Sequence, residues 1–199
     1  MARTPRGAKI DAMIELVRLR ALVEDDLPRL HRWYQTPSLW DHLVGAFEPR
    51  EAAAAVAYMR RWLTATRTEL RLAIERAADG ALIGLVALSP IEPEAGEAEY
   101  HIFLGEPQDR GHGYGQAATA AMLGRAFDDL ALVRVRLRVL QSNEAALRAY
   151  SVLGFEPDPE GRELVEKGGA PAPVVAMSVT DAMFRLRHAA YAARRSAAR

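Results

Sequence analysis

Gln108-Asp109-Arg110-Gly111-His112-Gly113-Tyr114-Gly115-Gln116 sets glycine at alternate positions between an apolar alternating segment and an alanine-rich one. That succession reads as a strand, a tight turn and the N-terminus of a helix. Glycine, with no Cβ, lets backbone N–H groups turn toward one point, and the first helical turn adds unpaired donors and a partial positive charge. Phosphate is the ligand that suits such a turn; the competing reading is a turn with no ligand. Two familiar phosphate motifs are excluded at once. There is no Gly-Lys-Ser/Thr of a P-loop, and Gly111, Gly113 and Gly115 lack the closing x-x-Gly of the dinucleotide fingerprint.

The chain has 199 residues, half of them apolar, which suits one domain, or one domain with an appendage, around a real core. A formal charge of zero and a pI near 7.0 remove the electrostatic argument for nucleic acid or an anionic membrane as partner. Without cysteine there is no disulfide, thiolate metal site or cysteine nucleophile. The basic start, Met1 to about residue 13, reads as a flexible tail with no long apolar run behind it, so neither a signal peptide nor a membrane span is expected and the expected location is cytoplasmic.

Upstream of the glycine turn, Ile14 to Ala21 alternates as a first strand. Glu24-Asp25-Asp26 and Pro28 then start a helix through Leu27, Leu30 and Trp33 that ends at Thr36-Pro37. Ser38 to Phe47, with Trp40, Asp41 and His42, has no clear period and reads as a loop or short helix. Glu48-Pro49 opens a second helix with Ala52, Val56, Met59 and Leu63 on one face, so Tyr58 and Trp62 need no functional role. Leu70 to Arg76, the turn Ala78-Asp79-Gly80, Ala81 to Ser89, and Glu97 to Leu104 read as three strands. Downstream, a helix from Gly113 or Tyr114 carries Thr119, Leu123, Ala126, Phe127 and Leu130 on one face. Val133 to Leu140 is a strand, Asn143 to Leu153 a helix stopped by Gly154, and two strands, about Phe155 to Val165 and Val174 to Thr180, flank Lys167-Gly168-Gly169. A terminal helix runs from Asp181 to about Arg195.

A second constellation lies in that Asn143 helix. Asn143 and Tyr150 are seven residues apart, so they share one helix face about 10 Å apart along the axis. They can line one groove; alternatively Asn143 caps the helix and Tyr150 is an ordinary half-buried aromatic.

Arg110-Gly111-His112-Gly113-Tyr114-Gly115, followed by Asn143-x-x-Ala146-x-x-x-Tyr150-x-x-x-Gly154-Phe155, resembles the GNAT acyltransferase superfamily. The first block is similar to its Arg/Gln-x-x-Gly-x-Gly/Ala turn for the acyl-CoA pyrophosphate, and the second to the strand-helix unit that follows. The strands Glu97-Ala98-Glu99-Tyr100 and Arg134 to Val139 resemble the branch holding ribosomal-protein N-terminal, spermidine and aminoglycoside 6′-acetyltransferases. The resemblance implies an α/β (α+β) fold: one domain over residues 14–180, a mixed twisted sheet of about seven strands flanked by about four helices, then a C-terminal helix and tail over 181–199.

It also implies acetyl-CoA as co-substrate, with the pyrophosphate on the N–H groups of Gly111, Gly113, Tyr114 and Gly115, Arg110 adding charge and His112 in the same turn. The strand ending at Phe103 and Leu104 is implied to splay from its neighbour, its free backbone groups pairing with pantetheine, and Asn143 to line the donor groove. Tyr150 is the implied general acid, since a phenol is protonated at neutral pH and can protonate a leaving thiolate. Glu99, on the adjoining strand, is the candidate base. Arg138 stands where some members carry a catalytic carboxylate. Glu92, Glu94, Glu97 and Glu99, with Asp41 and Glu48, form either an acidic field that draws a cationic amine or a solvated acidic hairpin. His101 and His112 have no metal-ligand spacing. The expected activity is N-acetylation of a primary amine, on a protein N-terminus or a small cationic molecule; the alternative is a CoA-binding module without turnover. The apolar final strand and terminal helix suit a homodimer.

Overall fold

Leu82–Glu92 is apolar on both faces, and the reason is its place in the middle of a seven-stranded sheet covered on both sides. The computed structural model describes residues 13–48 and 51–188. Most of the basic tail, Pro49, and the terminal helix beyond residue 188 lie outside the described residues. The strands are β1 (Val17–Ala21), β2 (Leu70–Arg76), β3 (Leu82–Glu92), β4 (Glu97–Leu104), β5 (Arg134–Leu140), β6 (Glu156–Lys167) and β7 (Ala170–Thr180), in the order β1-β2-β3-β4-β5-β7-β6. Every pairing is antiparallel except β4 with β5. That parallel pair needs a crossover, and the glycine turn with its helix supplies it.

The helices are α1 (Leu27–Tyr34), α2 (Pro37–Trp40), α3 (Ala52–Arg60), α4 (Tyr114–Gly124), α5 (Glu144–Leu153) and α6 (Asp181–Arg187). They divide between the two faces as the strand alternation dictates. Ile83, Val86, Ala98, Tyr100, Val135, Leu137 and Val139 face one core with α4, α5 and Phe184 of α6. Leu85, Ala87 and Phe103 face the other with Leu30, Trp33 and Met59 of α1 and α3. Each large side chain fully withdrawn from water in these cores contributes about 1.5–3 kcal/mol.

The differences from the sequence reading have local causes. Met13 and Ile14 begin a helical turn closed by Leu16 N–H on the Met13 carbonyl, so β1 starts only at Val17. The aperiodic Ser38 to Phe47 stretch holds α2, with Leu39 buried, followed by turns. α4 is buried nearly all round, from Ala117 to Gly124 except Ala121, because it packs on the sheet and on α5 at once; its small residues permit both approaches. It continues as a single wide turn, Arg125–Asp129, which turns Leu130 outward. Gly154 takes φ +102° and stops α5, and Phe155 N–H returns to the Tyr150 carbonyl at 3.1 Å. β6 and β7 extend to a tight turn at Gly168 and Gly169.

Candidate active site

The glycine turn is pinned from below. Asp109 is buried, its carboxylate 3.5 Å from Arg76 of β2, and Arg110 N–H bonds the Pro107 carbonyl. Gly111 and Gly113 then take φ +79° and +83°, values that an L side chain adopts only under strain. Gly113 is the N-cap of α4 and no side chain caps it, which leaves the first-turn N–H groups to a ligand. A Cβ at Gly111 would meet nothing within 4 Å, so the turn faces open space. This open, donor-rich, positively polarised cradle fits a pyrophosphate.

β4 and β5 share only three rungs, Glu97 with Arg134, Ala98 with Val135 and Glu99 with Arg136. Beyond them β4 runs on to Leu104 while β5 turns its length to β7, so the two strands part. A cavity of about 920 Å³ occupies the opening and reaches both faces of the sheet. On one side it is lined by Arg110, Gly111, Gly113, Gly115, Asn143 and Tyr150; on the other by Tyr34, Trp40, Tyr58, Trp62 and His101; Glu99, Phe103 and Leu104 line the passage. His112 and Tyr114 have no part in the lining. His112 is exposed beside Tyr114, whose ring packs on the α4-side core.

Tyr150 sits on α5 with its ring 6.4 Å from Tyr100 and 5.5 Å from Phe155, and burial pushes its phenol well above the usual value. Tyr100 is raised too, first by burial and then by Tyr150 beside it, but its hydroxyl is committed. Thr119 donates to the Gly115 carbonyl at 2.7 Å, so Tyr100 must donate to Thr119, also at 2.7 Å. That chain ties β4 to the glycine turn. Asn143 caps α5 by accepting from Ala146 N–H at 3.2 Å, and its amide donates to the His42 carbonyl at 3.3 Å. The cap reading and the groove reading of Asn143 both hold, since it lines the cavity as well.

The acidic field does not form. β5 places Arg134, Arg136 and Arg138 on the same face as the β4 glutamates, and cross-strand pairing neutralises them. Glu97 lies 3.6 Å from Arg134 and 3.3 Å from Arg136, Glu92 3.0 Å from Arg136, and Glu94 3.5 Å from Arg67. Of the acidic group only Glu48 and Glu99 reach the cavity. Glu99 is itself 3.3 Å from Arg138, which also holds Glu163 at 2.8 Å.

Two groups had no role at the site in the sequence reading, which set His101 aside as a metal ligand and placed Lys167 only in a turn. His101 shares the Glu99 face by simple alternation, and its Nε2 lies 2.7 Å from the Ser89 carbonyl. A carbonyl only accepts, which assigns the proton to Nε2 and leaves Nδ1 as the acceptor of the neutral ring. Lys167, at the β6–β7 turn, donates to the carbonyls of Trp40 (2.9 Å) and Gly45, fixing the loop that roofs the cavity. Its burial lowers the ammonium's pKa, opposed by Asp41. Contacts this distant in sequence leave no periodic signal.

The family model for the acetyltransferase (GNAT) domain matches residues 17–156. This chain belongs to the GNAT acetyltransferase family. The GNAT enzyme is 29% identical over 144 residues to a spermidine N(1)-acetyltransferase of Escherichia coli strain K12, covering 72% of this chain and 75% of that protein. It is 24% identical over 177 residues to an uncharacterized SPbeta prophage-derived N-acetyltransferase of Bacillus subtilis strain 168, covering 87% and 95%. Its fold superposes on spermidine N-acetyltransferase from Vibrio cholerae in complex with CoA and spermine with a TM-score of 0.76 at 25% identity, over 85% of this chain and 98% of that one. A dodecameric structure of the Vibrio enzyme aligns with a TM-score of 0.69 at 25% identity, over 84% and 95%. The GNAT enzyme is therefore an N-acetyltransferase with acetyl-CoA as co-substrate. Among the described residues no helix is long and apolar enough to cross a membrane, and no three His, Asp or Glu groups are placed to hold a metal ion.

Proposed function

We propose that this GNAT enzyme acetylates the primary amine of a small cationic molecule by direct attack on the thioester. The observation that carries the reading is the cavity through the β4–β5 opening, which lets donor and acceptor meet between the glycine turn and the α1–α3 wall. The spermidine acetyltransferases among its relatives support a small amine. So does the roof: a loop held by Lys167 and Asn143 suits a small acceptor more than a protein N-terminus, which needs an open cleft.

In this reading the N–H groups around Gly111, Gly113 and Gly115 hold the pyrophosphate, with Arg110 alongside. The unpaired edge of β4 at Phe103 and Leu104 hydrogen-bonds the pantetheine arm and polarises the acetyl carbonyl. Tyr150 gives its proton to the departing thiolate, and burial keeps it protonated for that task. The amine proton leaves toward Glu99 or His101, two groups that share one face of β4 and line the cavity. Self-association, suited by the C-terminal strands, is supported by the dodecameric Vibrio relative.

The test is release of CoA thiol from acetyl-CoA with a panel of primary amines, set beside the thermal shift that acetyl-CoA alone produces. Turnover on a small amine is the expected result. A thermal shift without release on any amine would favour a binding module, and no shift would remove both readings.

A further inference from the structure

We propose that the acceptor is a monoamine with an apolar, ring-bearing body seated among Tyr34, Trp40, Trp62 and Phe103, and not a linear polycation. The inference rests on the N-acetyltransferase reading above and names the substrate class for that same site.

Tyr34 is the hinge of this box. Its ring lies 5.3 Å from Trp40, 5.1 Å from Trp62 and 5.5 Å from Phe103, at interplanar angles of 81°, 55° and 80°. Rings set steeply to one another offer both edges and faces to an entering ring, the arrangement in which aromatic groups attract. Burial pushes the Tyr34 phenol up to about 12, so the box stays uncharged at any physiological pH.

A polyamine would need a carboxylate for each ammonium, and the acceptor wall offers few. Glu48 and Glu99 are the carboxylates lining the cavity among the described residues, and Glu99 is shared with Arg138. Arg71 and Arg138 line the same wall, and the Lys167 ammonium sits in its roof. Two ring faces already carry cations: the Arg71 guanidinium lies 5.4 Å over Trp62 and Arg61 5.6 Å over Tyr58. Arg71 is held there by Glu69. A second or third ammonium on the substrate would meet these charges without a partner, which costs more than the first gains. A single amine directed at the β4–β5 opening, with its apolar remainder among the rings, meets no such conflict.

The experiment compares kcat/KM of the wild-type chain for 2-phenylethylamine, spermidine and a short peptide with a free N-terminus, with acetyl-CoA saturating. The expected result is a preference for 2-phenylethylamine over both of at least about 10-fold, the scale of burying one such ring. Trp40→Leu should then raise KM for 2-phenylethylamine several-fold and leave KM for acetyl-CoA unchanged. Equal or better turnover of spermidine or of the peptide overturns the inference while leaving the N-acetyltransferase reading intact. Acetyl-CoA binding with no turnover of any amine overturns both. The wild-type comparison stands even if the variant folds poorly.

Discussion

The rings of Tyr100 and Tyr150 meet edge to face, 6.4 Å between centroids and 87° between planes, one from β4 and the other from α5. The contact sets the Tyr150 ring at the β4–β5 opening, while the Tyr100 hydroxyl is spent on Thr119. Tyr150→Phe keeps the ring contact and removes only the acid. The expected loss in kcat is about 10- to 1,000-fold with little change in the half-saturating acetyl-CoA concentration. An undiminished kcat in steady-state assays would remove Tyr150 from the chemistry.

The pH profile follows from the same burial. A phenol whose folded-state pKa lies above its ordinary value of about 10 keeps its proton throughout the neutral and mildly alkaline range. Its neutral form also contributes to stability below about pH 10, a contribution lost as pH rises through the folded-state value. The log of kcat against pH should therefore rise with deprotonation of the amine and show no descending limb below about pH 10. A descending limb below that point that is absent in Tyr150→Phe would show the phenol losing its proton in that range and contradict the upward shift that burial produces.

Glu99 and His101 can be separated by paired variants. Arg138, 3.3 Å from Glu99, already engages that carboxylate, whereas the Ser89 contact at His101 Nε2 leaves Nδ1 as the acceptor of the neutral ring. His101→Gln is expected to lower kcat about 10- to 100-fold and Glu99→Gln to cost less than about tenfold. The reverse order in stopped assays at matched pH would return the role to Glu99.

Gly113→Ala tests the donor cradle. The added Cβ would find Leu16 Cδ1 at an ordinary 3.6 Å, so the penalty comes from φ +83° alone, on the order of 1 kcal/mol. Displaced N–H groups should raise KM for acetyl-CoA several-fold with kcat little altered, and isothermal titration with CoA should show the same loss.

Acid sensitivity is expected from the Arg20–Asp26 pair far from the site. Burial works to raise the Asp26 carboxyl, but two bonds from Arg20, at 2.6 and 2.8 Å, and one from the Val23 N–H outweigh it and hold the group below the usual range. Stability from a lowered carboxyl is present above the unfolded value near 4 and is lost as pH falls through the folded one. Asp26→Asn should cost about 2 kcal/mol in urea unfolding at pH 7, and the gap to wild type should narrow by about pH 3.

What the sequence made legible was what repeats or punctuates. Glu97 to Leu104 could be bounded at both ends because turn residues frame an alternating run, and Gly111 and Gly113 announced the turn whose positive φ values they adopt. Glu99 and Tyr150 reach one cavity. What stayed hidden came from pairs far apart in the chain. Charges on β4 suggested an acidic field, and nothing in one strand's pattern could say that Arg134, Arg136 and Arg138 would stand beside them. Likewise the helical spacing of Ala52, Val56, Met59 and Leu63 left Trp62 without a required role, and could not say that it would be buried just past α3 with Tyr34 and Phe103 around it.

The parting of β4 from β5 after three rungs makes the sheet a partition with a window in it. In the proposed reading the donor's contacts lie behind it and the acceptor's in front, on helices that share no core residues with α4 or α5. The wall at Tyr34, Trp40 and Trp62 can thus change its taste for amines, one side chain at a time, with the CoA-holding half left as it was.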